Sequence, residues 1–197
     1  MFDILTVCTG NIARSPLAEQ LLRARLAPLE GIVHSAGTSG LRAVPMTAEA
    51  VAIAGRLGVP AEDSAAHRSR YLTEALLDSP DLILTMTREH RRLVAELAPA
   101  RLRSTFTIRE FARLTTAVSD EEIRIAAAAA GSDASARLRA AAAAIASHRG
   151  MLPPPTDPND DDVIDPYRRG SDVYERSTAD LQPGIDEVVR IVQLSVT

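Results

Sequence analysis

The chain has no lysine. All 22 of its Lys+Arg positions are arginine, set against 26 acidic residues for a net charge of −4. That balance carries no basic footprint for nucleic acid, and uniform arginine usage reads as a composition bias, not as a binding patch. Cysteine occurs once, as Cys8, which excludes an intramolecular disulfide framework. No apolar run approaches the ~18 residues that a membrane span requires. Met1-Phe2-Asp3 shows neither the basic start nor the apolar stretch of a secretory signal, so the expectation is a cytoplasmic protein with no membrane partner. What is present suffices for a core: 197 residues with 46% hydrophobic content argue for a single domain over residues 1–197.

The stretch that organises the rest is Val7-Cys8-Thr9-Gly10-Asn11-Ile12-Ala13-Arg14-Ser15-Pro16. Phe2 to Val7 behind it is a short apolar, β-branched run that reads as a buried strand, and Leu17 to Leu22 ahead of it reads as a helix. A strand-to-helix loop points backbone N–H groups and the positive end of a helix dipole at one spot, which makes it an anion site, most naturally for phosphate. Gly10 lets the backbone approach closely, Asn11 tolerates a left-handed conformation, and Ser15-Pro16 fits an N-cap followed by proline at the first helical position. A lone cysteine is ordinarily a small buried hydrophobe. Placed in such a cradle, six positions before an arginine, it has the surroundings in which cysteine is used as a thiolate nucleophile. Arg14 can grip two phosphoryl oxygens with its planar fork, and Ser15 can hydrogen-bond the sulfur.

Further along, residues 32–38 read as a strand running into a loop, residues 81–86 as a buried parallel strand, and residues 104–106 as a fourth strand. Helical patterns follow from Thr47 to a stop at Gly58-Val59-Pro60, from Thr87 to Leu97 with Thr87 as cap, and from Ile108 to Leu114. Alternating strands and helices predict an α/β fold, a four-stranded parallel sheet with helices on both faces. Ser119 to Glu122 opens an alanine-rich segment, Ile123–Ala130 and Ala134–Ser147, broken at Gly131-Ser132-Asp133 and read as paired helices that decorate the domain. Residues 151–158 are an extended, mobile, proline-rich connector. In the last helix, Gln182-Pro183-Gly184 is expected to break or kink the chain.

The acidic run Asp160-Asp161-Asp162 lacks the Gly and Glu spacing of an EF-hand and is not read as a calcium site. It does bring like charge near Asp165-Pro166-Tyr167. Pro166 restricts the backbone at Asp165 so that its carboxyl is held in one direction.

The loop Cys8 to Pro16, directly after the first strand, resembles the active-site loop of the low-molecular-weight protein tyrosine phosphatases, of bacterial type, and Asp165-Pro166-Tyr167 resembles that family's C-terminal Asp-Pro-aromatic sequence. The resemblance implies a flavodoxin-like fold of the phosphotyrosine phosphatase I type, and hydrolysis of phosphotyrosine through a phosphocysteine with no metal or cofactor. It makes Cys8, Arg14 and Asp165 the catalytic residues. Thr9, Gly10, Asn11, Ile12, Ala13 and Ser15 would hold phosphate or support those that do. Ser35 would fix Asn11, His67 would stand behind the loop, and Leu41 and Tyr167 would wall the substrate. Phosphotyrosine proteins are the implied substrates, and the run from Asp165 to Ser171 resembles bacterial members paired with tyrosine kinases of polysaccharide export.

The chain departs from the family's pattern in four places. Residues 38–46 hold no aromatic wall, residues 119–158 are an insertion with its connector, Ile12 stands where phosphoarginine-directed relatives have threonine, and Ala13 stands where many relatives have a second cysteine. The competing readings are a protein arginine phosphatase, an arsenate reductase using an external small thiol, and a phosphate-binding module without turnover.

Overall fold

Strand β1, Phe2–Cys8, sends alternate side chains into two cores, and that alternation sets the architecture. In the computed structural model, which describes residues 1–39 and 42–197, Ile4 joins a large cluster with Leu82, Leu84 and Phe106. Leu5 and Val7 join a smaller one with Ala36, Ile83 and Val94. Strands β2 (Gly31–Gly37) and β3 (Leu82–Thr85) flank β1, and β4 (Thr105–Thr107) lies beyond β3. All pairings are parallel in the order β2-β1-β3-β4, with Cys8 opposite Gly37 and Val7 opposite Thr85. This is the four-stranded parallel sheet that the alternation of apolar runs and helical patterns predicts.

Helices α1 (Arg14–Leu26) and α2 (Ala48–Arg56) pack in the large cluster; a short α3 (Ala61–Ala66), absent from the sequence reading, follows. Helix α4 (Arg88–Leu97) covers the other face through Val94, with Leu72 and Leu77 beside it. Thr87 caps α4 and Thr107 caps α5 (Ile108–Thr115), each hydroxyl accepting from a backbone N–H in the first turn.

The alanine-rich insertion forms α6 (Asp120–Ala129) and α7 (Ala134–Ser147), joined by Gly131 at φ +89° and by Asp133, whose carboxylate caps α7. It is not decoration. Leu138, Ala141, Ala142 and Ile145 are buried in the same cluster as Ile4 and Leu82, because alanine lets helices approach closely where bulkier side chains would not. Asp81, buried just before β3, accepts hydrogen bonds from Ser135 Oγ at 2.7 Å and from the Asp3 N–H at 2.9 Å, and pairs with Arg139 Nε at 3.0 Å. Burial pushes its carboxyl up, against the pull of these three donors. The insertion therefore docks at the N-terminal edge of the sheet, the end opposite Cys8.

The last helix, α8 (Ser171–Val196), runs through Pro183 without the break that the sequence offered beside a kink. Pro183 and Ala179 are both exposed, so the carbonyl that loses its partner faces water, which softens the cost of an interior proline. Gly184 is required for packing: a Cβ there would lie 2.6 Å from Ile108 O.

Candidate active site

The chain leaves β1 for β2 on one side and returns to β3 on the other, so a crevice opens at the C-terminal edge between β1 and β3. Into it projects the loop from Cys8 to Arg14. Asn11 adopts φ +54°, the left-handed conformation that asparagine tolerates. This turns its N–H to Cys8 Sγ at 3.3 Å. The Ser15 hydroxyl donates to the same sulfur at 3.0 Å.

Asn11 is fully engaged behind the loop. Its amide donates to Ser15 Oγ at 3.0 Å and to Ser35 Oγ at 2.7 Å, and its Oδ1 accepts from the Arg70 N–H at 3.0 Å. Its carbonyl lies 2.8 Å from His67 Nε2. Ser35 and His67 thus hold the loop from the rear and do not line the cavity. The Ser15-Pro16 cap reading is corrected: α1 begins at Arg14 with Ala13 in the cap position and no side-chain cap bond. Ser15 has its hydroxyl turned to the sulfur instead, and Pro16 sits in the first turn, where its N–H would have had no helical partner anyway.

Cys8, Thr9, Gly10, Ile12, Ala13 and Arg14 line a cavity of about 140 Å³ from the loop side; Ser39, Asp165 and Tyr167 close it. Leu41 lies outside the described residues. Arg14 is buried, with its Nη1 on Val163 O at 3.3 Å and its Nη2 on Thr9 Oγ1 at 3.3 Å and Asp165 Oδ2 at 2.9 Å. The segment carrying Asp165 is held at both sides: Val163 N–H bonds Met86 O at 2.8 Å beyond β3, and Ile164 N–H bonds Asp180 Oδ2 at 3.2 Å on α8. Asp165 Oδ1 then accepts from the Tyr167 N–H at 3.2 Å, an Asx-type turn that fixes the carboxyl.

The acidic run does not gather around Asp165. Asp161 pairs with Arg113 at 2.7 Å and Asp162 with Arg88 at 3.0 Å, so their charge is turned to the flanking helices.

Besides Ser39 at the cavity, sequence reasoning missed two residues packed against the loop. Gly37 lies under the loop, where a Cβ would stand 2.6 Å from Thr9 O. His90, grouped with Arg88 to Arg92 as a solvated face, is buried, with Nε2 2.9 Å from Thr9 Oγ1 and Nδ1 2.8 Å from Thr87 Oγ1. Burial, and then the Arg14 charge, hold its pKa down at about 4. Its place in the first turn after β3, across the switch point, was the available signal. Among the described residues no group of three His, Cys, Asp or Glu side chains is placed to hold a metal ion, and no helix is long and apolar enough to cross a membrane.

A thiol and a guanidinium on one β1–α1 loop, facing a carboxyl across a small cavity, define an α/β protein of the cysteine phosphate-loop class. Residues 3–147 match the low molecular weight phosphotyrosine protein phosphatase family, and the chain belongs to it. Low molecular weight protein-tyrosine-phosphatase Etp of Escherichia coli (strain K12) is 46% identical over 97 residues, 49% of this chain and 62% of Etp, so the match spans less than two thirds of that relative. Protein-arginine-phosphatase of Bacillus subtilis (strain 168) is 35% identical over 109 residues, 55% of this chain and 71% of that protein. The crystal structure of the low molecular weight protein tyrosine phosphatase from T. tengcongensis superposes with a TM-score of 0.65 at 26% identity, covering 96% of this chain and 98% of that one.

Proposed function

We propose that the chain is a protein tyrosine phosphatase that works through a phosphocysteine, with Cys8 as nucleophile, Arg14 as oxyanion clamp and Asp165 as general acid and base. The observation that carries the reading is the convergence of Cys8, Arg14 and Asp165 on one cavity. Cys8 Sγ attacks phosphorus while Arg14 and the loop N–H groups take the charge that develops on the equatorial oxygens. The P–O(aryl) bond breaks and the Asp165 proton passes to the phenolate oxygen. Water then attacks phosphorus and gives its proton to Asp165, and the S–P bond breaks. The sulfur leaves as a thiolate, stabilised by the Ser15 hydroxyl at 3.0 Å and the Asn11 N–H at 3.3 Å. Thr9, Gly10, Ile12 and Ala13 shape the phosphate side, with Asn11, Ser35 and His67 holding the loop from behind, and Tyr167 flanks the aryl ring.

The test is hydrolysis of an aryl phosphate and of a phosphotyrosine peptide by the purified chain, beside its Cys8→Ser variant. Turnover that disappears in Cys8→Ser with vanadate binding kept supports the reading; undiminished turnover in that variant overturns it. A phosphoarginine peptide belongs in the same assay, because the Bacillus subtilis relative bears the name protein-arginine-phosphatase. Ile12 puts an apolar group in the cavity wall, which favours the aryl ester over the guanidinium. Arsenate-dependent oxidation of a small thiol would support the reductase reading instead, and stoichiometric phosphate binding without turnover the binding module. Phosphotyrosine proteins of the cytoplasm, a bacterial tyrosine kinase among them, are the proposed partners.

A further inference from the structure

One buried titratable group beside the cavity has no part in the chemistry above. His90 bridges two hydroxyls, Thr87 Oγ1 at Nδ1 and Thr9 Oγ1 at Nε2, at 2.8 and 2.9 Å. Thr9 Oγ1 also receives Arg14 Nη2 at 3.3 Å, and a guanidinium can only donate. A hydroxyl owns one hydrogen, so the imidazole tautomer decides where the Thr9 hydrogen goes. With the ring proton on Nδ1, Thr9 must donate to Nε2 and has nothing left. With the ring proton on Nε2, Thr9 Oγ1 accepts from both His90 and Arg14, and its hydrogen is free to point into the cavity that Thr9 lines. Thr87 can complete this second arrangement. Its oxygen already accepts the His90 backbone N–H at 3.3 Å, so donating to Nδ1 uses its hydrogen as well.

We infer that His90, as its Nε2–H tautomer, is a positioning residue that turns the Thr9 hydroxyl into a donor to the phosphoryl group bound beside Cys8. The charged groups that face it are Arg14 from α1, Asp162 and Asp165 from the segment that precedes α8, and Glu89 on its own helix. The inference rests on the phosphatase reading of the cavity and adds to it the element that aims Thr9.

Competitive inhibition by inorganic phosphate, measured on the full chain, reports the oxyanion contacts. Thr9→Val, which removes the hydroxyl, is expected to raise the inhibition constant roughly tenfold or more, the effect of losing a hydrogen bond to a charged group; Thr9→Ser keeps it. His90→Asn, whose amide ends short of Thr9, weakens phosphate binding in the same direction. His90→Gln, whose amide N–H can stand in for Nε2–H, regains most of that loss. The double variant Thr9→Val/His90→Asn binds phosphate no more weakly than Thr9→Val, because both changes remove one interaction. Additive losses in the double variant, or a Gln variant no better than Asn, overturn the inference. Nitrogen-15 NMR of the wild-type imidazole in the presence of phosphate decides it even where a variant fails to fold: a hydrogen on Nε2 supports the inference and one on Nδ1 overturns it. A wild-type chain that neither binds phosphate nor cleaves aryl phosphate removes the phosphatase reading, whereas a wild type that does both beside a Thr9→Val variant of unchanged affinity removes this inference alone.

Discussion

Arg14 Nη2 lies 2.9 Å from Asp165 Oδ2, joining the residue that opens the first helix to one that precedes the last. The guanidinium is buried and the carboxyl is half exposed, so Asp165 can reach solvent while Arg14 cannot. A proton donor and acceptor needs that access, and an oxyanion clamp gains strength from the lack of it.

Asp165→Asn keeps the shape and removes the proton. Cleavage of unactivated aryl phosphates is expected to slow by about 10²–10⁴-fold, with a smaller loss for a good leaving group such as p-nitrophenolate. Phosphate binding is kept or tightened, because a carboxylate that competes for Arg14 is gone. A loss that is the same whatever the basicity of the leaving group would count against the general-acid role.

Gly37 accepts no side chain without moving the loop. Gly37→Ala pushes a methyl against Thr9 O and Asn11, both parts of the Cys8 loop. The expected cost is ~1–3 kcal/mol of stability, as for overpacking elsewhere, with a larger fractional loss of activity than of folded protein. Thermal unfolding and steady-state kinetics on the same sample check it. Wild-type activity in a destabilised variant would show that the loop tolerates the shift.

Stability should fall with acid through His90. The unfolded chain takes up this proton near 6.5, and the folded chain not until about 4. Its contribution is present in full above ~6.5 and is lost as pH falls from there through 4, because the unfolded state binds more protons over that window. Chemical denaturation of the wild type and of His90→Gln, followed from pH 7 to pH 4, should differ by roughly 3 kcal/mol in slope-integrated stability at the acid end. Parallel curves would rule the contribution out.

Oxidation of Cys8 finds no other thiol in the chain, and the cavity wall further along the same loop is the methyl of Ala13. Sulfenic acid formed by peroxide should therefore proceed to higher oxides or be capped by an added small thiol. After prolonged peroxide, thiol treatment is expected to restore activity only in part; complete and rapid rescue would contradict this.

The sheet was readable because Ile4, Leu5 and Val7, and Leu82 to Leu84, are apolar on both faces, which marks strands covered by helices on either side. The place of Cys8 and Arg14 followed from the turn between a strand and a helix. The cap was misread because a hydroxyl before proline looks the same whether it serves the helix or, as at Ser15, a sulfur. His90 was hidden among arginines: local pattern describes the neighbours along the helix, whereas its burial comes from the Thr9 loop, distant in sequence. The charges at Asp161 and Asp162 were legible, their arginine partners were not. Pro183 broke a propensity rule that exposure and the packing of Gly184 override.

The turn at Gly131-Ser132-Asp133 is exposed and belongs to the helix pair anchored on Asp81, at the far end of the strands from the cysteine. A fluorophore, affinity tag or surface tether introduced there would leave the mouth of the cavity unobstructed. Immobilised chain could then be presented to large partners with the Cys8 end facing outward.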